Sequence, residues 1–321
     1  MEIIKRDGTR VTFEKEKIEL AIAKSFASVD SVVTDEKLSE MSDKIVATIK
    51  EKYPKDHVVS VEEVQDLVEL TLIDENYYRE VKSFILYRAK HNMDRKVMND
   101  FENYITDKDI LEIIESVQEE FDNQRYPIES LYLKFESFTK ANMTEEDLLK
   151  ALTRAASELT SKETPDWEII AARFLMYEID LEIKRNEERF DIVDFKSKID
   201  YLTSAGLYGE YIKKNYSSED FDELGAYLNK ERDNLFTYSG LDLVKKRYLI
   251  KTFTGDIIES VQEMFMGIAM HLAIPEDDSV AFAKRLYDVL SNLKATMATP
   301  TMTNARKPFN QLSSCFIDTV P

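Results

Sequence analysis

Residues 3–18, IIKRDGTRVTFEKEKI, hold the strongest turn signal near the start of the chain. Two short β-branched runs, at 2–5 and 10–13, flank Asp7-Gly8. An Asp-Gly pair supplies the positive φ angles of a tight primed turn, so the stretch is expected to form a β-hairpin. Val11 and Phe13 alternate with Thr12, which should turn one face of the hairpin toward a core. Lys5 and Arg6 flank the turn, two cations at the end of a ribbon where the oxygens of a phosphate chain could sit. Beyond the hairpin the alternation gives way to helical spacing, with Ile18, Ile22 and Phe26 at i, i+4.

After this helix, DEKLSEMSDKIVATIKEKY (35–53) carries Leu38, Met41, Ile45 and Ile49 on one helical stripe. Pro54 opens a loop expected to run to Ser60. Ser60 is placed to cap a helix over VEEVQDLVELTL (61–72), with Glu63 completing a capping box. YYREVKSFILYRAKH (77–91) closes the unit. The expectation for residues 1–95 is a two-stranded ribbon capped by about four helices.

A weak internal repeat follows. MTEEDLLKALTRAASEL (143–159) and TPDWEIIAARFLMYEID (164–180) reproduce the rhythm of 59–73 and 76–91: a capped acidic helix, then an aromatic-led amphipathic one. Thr144 is a good N-cap for this copy. The basic hairpin is missing, and YPIESLYLKFESF (126–138) stands in its place. Residues 96–184 therefore read as a partial second unit without phosphate cations, a spacer or oligomer contact in which Trp167 is a core or interface residue. Residues 185–297 read as helical, broken at YSSEDF (216–221), TYSG (237–240), FTGD (253–256) and IPEDD (274–278). Pro300 and Pro308 mark irregular chain after 298, and LSSCFIDTV (312–320) suits a buried strand that opens a new domain, 298–321.

Composition agrees with a mainly α class. Hydrophobic residues make up 43 % of the 321, enough for packed cores, while seven glycines are too few for a turn-rich sheet protein. A net charge of −19 repels a polyanion, so no nucleic-acid partner is expected; small nucleotides remain compatible, because a few local cations outweigh a distant, screened field. One cysteine, Cys315, rules out an internal disulfide framework and a zinc site built from several cysteines. No signal-like run opens the chain and no stretch approaches 18 apolar residues, so a soluble, cytoplasmic chain with no membrane partner is expected.

Three stretches resemble the large (catalytic, α) subunit of class I ribonucleotide reductase. IIKRDGTRVTFEKEKI (3–18) is similar to the opening of the ATP-cone, the family's allosteric adenine-nucleotide domain. RDNLFTYSGLDLVKKRYLI and ESVQEMFMGIAMHLA, within 232–273, resemble its helical domain. ATPTMTNARKPFNQLSSCF (298–316), with Thr299 sixteen residues before Cys315, resembles the entrance to its active site. The chain departs from the family pattern at Val61, where a hydroxyl residue is common, and at Val261, where proline is usual. It departs again at Gly267, where arginine is usual, and at Arg306, where the family's Asn-Ala-Gly ends in glycine.

The resemblance implies that Lys5 and Arg6 contact phosphate and that the segment from Val11 to Lys17, Glu14 included, lines adenine and ribose. Lys90 or His91 would add a cation, with Tyr87 nearby. It implies ATP as activator and dATP as inhibitor, with magnesium accompanying the nucleotide and a shift between a homodimer and a higher oligomer. Cys315 would be one of two thiols that reduce the ribose, with Ser314 and Thr299 holding the substrate diphosphate. The last segment would be the first strand of a ten-stranded α/β barrel. Implied partners are a β subunit carrying the radical cofactor and a thioredoxin- or glutaredoxin-type reductant.

A redox dithiol needs a second cysteine, and these 321 residues hold one. The chain alone is therefore expected to be inactive, with the remainder of the α chain, or a complementing chain, supplying the other thiols. The competing reading from another class is a stand-alone nucleotide-binding regulator, which leaves Thr299, Ser314 and Cys315 without a role.

Overall fold

The structure, a computed structural model, describes residues 2–5, 8–54, 57–122 and 124–315, with the side chains of His91 and Gln118 outside that description. It is mainly helical with one small sheet. The chain divides into two compact units, Met1–Lys96 and the residues from Val97 onward.

In the first unit, β1 (Glu2–Ile4) and β2 (Arg10–Thr12) pair antiparallel with Ile3 opposite Val11. Gly8 takes φ +82°, the left-handed region that glycine enters without a Cβ penalty. The Lys5 amide donates to the Thr9 carbonyl at 2.8 Å and the Gly8 amide to the Lys5 carbonyl at 3.0 Å, closing the turn. Arg6 and Asp7 lie outside the described residues. Val11 and Phe13 are half-buried while Thr12 is exposed, the expected alternation.

Helices α1 (Lys15–Ala27) and α2 (Asp35–Lys52) bury the two stripes read from their spacing. Ile22 and Ile45 are fully enclosed, and Ile18, Phe26, Leu38, Met41 and Ile49 are buried around them. Each such side chain contributes about 1.5–3 kcal/mol when fully buried, which is why these stripes outweigh the polar residues between them.

The expected loop over 54–60 is corrected at its end. Val59–Ser60 forms β3, parallel to β1 with Ile3 opposite Val59, so the ribbon is a three-stranded sheet in the order β2-β1-β3. Two residues are too few to show a period of two, and the pairing comes from the open edge of β1 and the burial of Val59. Helix α3 (Val61–Asp74) starts directly from β3. The Ser60 hydroxyl accepts from the Glu63 amide at 3.2 Å and the Glu63 carboxylate accepts from the Ser60 amide at 2.7 Å, the capping box read from the sequence. Helix α4 (Tyr78–Glu102) is tied to α3 by Arg88, whose guanidinium meets Glu62, Asp66 and Glu69 within 2.8 Å.

In the second unit, Val97 and Phe101 share a core with α5 (Lys108–Glu120), α6 (Ile128–Glu136), α7 (Glu145–Glu158) and the first half of α8 (Trp167–Arg189). Thr144 caps α7, with Asp147 closing the box. Trp167 is buried in this core, edge-on to Tyr126 at 5.8 Å. The second half of α8 belongs to a larger core with α9 (Phe195–Ser204), α10 (Glu210–Asn215), α11 (Ser218–Ala226), α12 (Tyr238–Arg247), α13 (Val261–Ala273) and α14 (Ser279–Ser291). Eleven of the thirteen residues of α13 are buried, as its nearly uninterrupted apolar sequence demands.

Residues 299–304, expected to be irregular, form a short helix, α15 (Thr299–Asn304). Pro300 starts it rather than breaking it, because the first helical turn needs no amide donor. Residues 312–315 carry no strand, and 316–321, the rest of the expected barrel strand, lie outside the described residues.

Candidate functional site

A cavity of about 250 Å³ opens in the first unit beside β2, α1, α3 and α4. Its apolar walls include Val61, Val64 and Val68 of α3 and Phe84 of α4, with Val11 and Phe13 from the end of the hairpin. Its polar lining comes from Lys5, Thr12, Glu14, Lys17 and Gln65. The hairpin places Lys5 at the end of β1, where it is exposed, and the β2–α1 junction presents Glu14 and Lys17 one turn apart. The Lys17 ammonium lies 3.0 Å from the Glu14 carboxylate, so these two charges offset each other, and Glu14 makes no side-chain cap bond to α1.

Four of the residues singled out from sequence, Lys5, Val11, Glu14 and Lys17, are thus brought to one cavity. Arg6 and the His91 side chain lie outside the described residues. Lys90 is half-buried on α4, six residues beyond Phe84, and is not part of the described lining. Sequence reasoning reaches Val61 only as a departure from a pattern, and it misses Val64, Gln65, Val68 and Phe84 as site residues. A signal was present: positions 61, 64, 65 and 68 follow i, i+3, i+4, i+7 and so share one helix face. An apolar slot with a donor-and-acceptor amide on its wall and an exposed cation at its edge suits a flat heteroaromatic ring joined to an anion.

The terminal segment is built differently. Thr299 opens α15, and its hydroxyl lies 3.3 Å from that of Tyr248. Asn304 donates to the Gln311 carbonyl at 2.9 Å, folding the following chain back on α15. Ser314 and Cys315 stand together at its end, both exposed, with Oγ and Sγ 3.9 Å apart. His57 pairs with Glu63 at 3.2 Å and His271 with Tyr211 at 2.8 Å, so each of these imidazoles already has a polar partner. Among the described residues no group of three or more His, Cys, Asp or Glu side chains is placed to hold a metal ion, and no helix is long and apolar enough to cross a membrane.

Comparison with known proteins finds relatives of both units. Residues 1–93 match the ATP cone domain, and residues 234–310 match the all-alpha domain of ribonucleotide reductase. The whole chain is 42 % identical to the ribonucleoside-diphosphate reductase subunit alpha of Treponema pallidum (strain Nichols), covering 38 % of that protein. It is 29 % identical, again over its whole length, to the same subunit of Chlamydia muridarum, covering 33 % of it. Over 53 % of the chain it is 27 % identical to ribonucleoside-diphosphate reductase 1 subunit alpha of Escherichia coli (strain K12), covering 22 % of that protein. The chain thus spans between about a fifth and two fifths of the length of these relatives. It belongs to the ribonucleotide reductase large-subunit family, carrying that family's all-alpha domain behind an ATP cone domain.

Proposed function

We propose that this chain is the N-terminal part of a class I ribonucleoside-diphosphate reductase α subunit, and that its first unit binds ATP and dATP as effectors. The observation that carries the reading is the cavity shared by Lys5, Val11, Glu14 and Lys17. At about 250 Å³ it lies just below the ~300–1,000 Å³ of common small-molecule sites, room for a base and part of a sugar but not for a triphosphate. The phosphates would then lie at the rim, where the Lys5 ammonium donates charge-assisted hydrogen bonds. Gln65 lines the same wall, where its amide can reach the edge of adenine, and the Glu14 carboxylate accepts from an amine or hydroxyl. Effector binding acts at a distance by favouring one oligomer over another, and the coupling is reciprocal.

In the second unit, Cys315 would supply one of the two thiols that reduce the substrate. Two thiols lose two electrons and two protons to become a disulfide while the 2′-hydroxyl leaves as water and hydrogen takes its place. The second thiol comes from outside these 321 residues, since Cys315 is their one cysteine. Ser314 and Thr299 supply neutral hydrogen-bond donors for the diphosphate, and a radical-generating β subunit is the implied partner. Amide hydrogen exchange tests the effector site by location. Saturating dATP should slow exchange in peptides covering 3–18 and 61–72, and slowing confined to the second unit would contradict the assignment.

A further inference from the structure

Two of the departures from the family pattern, Gly267 and Arg306, meet in space. A Cβ added to Gly267 would lie 2.7 Å from Cδ of Arg306 and 2.6 Å from the Tyr208 hydroxyl, so a larger residue at 267 needs both the Arg306 stem and the Tyr208 hydroxyl to move aside. Arg306 is fully buried, as is its partner Glu259. The guanidinium donates to both oxygens of Glu259 at 2.5 Å, to the Met302 carbonyl at 2.8 Å and to the Tyr248 carbonyl at 2.7 Å. Glu259 also accepts from the Tyr208 hydroxyl at 2.5 Å and from the Ile250 amide at 2.8 Å. The ion pair is therefore satisfied on both sides, the condition under which a buried charge is tolerated.

We propose that Arg306 is a positioning residue for the segment that carries Thr299, Ser314 and Cys315, and that positions 267 and 306 form one linked choice of where its guanidinium comes from. The guanidinium joins α15, through the Met302 carbonyl, to Glu259 just ahead of α13, and the Arg306 carbonyl accepts from the Gly209 amide at 2.9 Å. The same turn is held on its other side by the Tyr211 hydroxyl, which donates to the Ala305 carbonyl at 2.6 Å. Helical side chains lean toward the helix N-terminus, so an arginine at 267 reaches back along α13 toward Glu259. Its stem would need the volume that the Arg306 stem now fills, with the Tyr208 hydroxyl, a partner of Glu259, turning aside in the same exchange. Only one of the two positions can hold the arginine, and the other must be glycine or similarly small.

The functional meaning of this anchor rests on the proposed role of Cys315; the anchor itself does not. Cys315 is the one cysteine and is exposed, so a nitroxide attached there reports the order of the segment in the full 321-residue chain. Arg306→Gly leaves Glu259 buried and unpaired, and should lower Tm by about 10 °C and sharpen the nitroxide spectrum toward a mobile label. Gly267→Arg alone should be as damaging, and Arg306→Lys, which keeps the charge but not the bidentate geometry, intermediate. The double variant Gly267→Arg/Arg306→Gly should recover most of the Tm and the immobilised spectrum. A double variant no better than the worse single one overturns the proposal. So does a Tm loss in Arg306→Gly with an unchanged nitroxide spectrum, which would make the arginine structural only. If Arg306→Gly fails to fold, the double variant still decides. None of these readouts involves the nucleotide site, and loss of the effector reading would leave them standing.

Discussion

Asp233 sits in the 3₁₀ turn before α12, 8 % exposed, and accepts from the Gln262 side-chain amide at 2.6 Å. Burial raises its pKa from an ordinary 3.8 to about 6; Gln262 opposes the shift, Asp180 adds to it and Lys230 reduces it. A carboxyl whose pKa is raised on folding stabilises the fold fully below its unfolded value, and that contribution is lost as the pH rises through the folded value. At about 1.4 kcal/mol per tenfold change, the loss amounts to about 2–3 kcal/mol between pH 4 and pH 7. Asp233→Asn keeps an acceptor for Gln262 and removes the ionisation. Urea unfolding of the two proteins at several pH values isolates the effect, because other carboxylates cancel in the difference. The variant should match the wild type near pH 4 and exceed it by about 2–3 kcal/mol at pH 8. A difference that does not change with pH would refute the burial argument.

Further outcomes follow from the first unit. Lys5→Ala should weaken dATP binding by ~10–100-fold, the cost of one charge-assisted hydrogen bond, and leave Tm unchanged because the side chain is exposed. Val61→Trp should fill the cavity and abolish nucleotide binding by calorimetry, while circular dichroism stays that of the folded chain. Ser60→Ala breaks the capping box of α3 and should cost about 0.5–2 kcal/mol in urea unfolding. Cys315→Ser should leave dATP binding unaltered, since the cavity lined by Lys5 and the thiol lie in different units.

Much of this was legible in the residues. The stripes of α1 and α2 follow from spacing alone, and the capping boxes at Ser60 and Thr144 depend only on contacts three residues apart. The Asp-Gly hairpin carries its own turn geometry. What stayed hidden is non-local. The pairing of β3 with β1 involves two residues and depends on an edge formed more than fifty positions earlier. Pro300 looks the same whether it breaks a helix or starts one, and only the chain around it decides. The valine face of α3 reads as core because a helix stripe does not say whether its neighbour is a side chain or an empty cavity. The Arg306–Glu259 pair could not be read either, since charged residues bury only when a partner 47 positions away is brought into reach.

Everything proposed for the first unit requires that its cavity bind an adenine nucleotide. Calorimetric titration of this chain with dATP and with ATP measures that directly. One saturable site per chain for each nucleotide, in mutual competition and strongly weakened by Lys5→Ala, is the predicted result. Absence of heat with either nucleotide up to the millimolar range, with the chain shown to be folded, would contradict it.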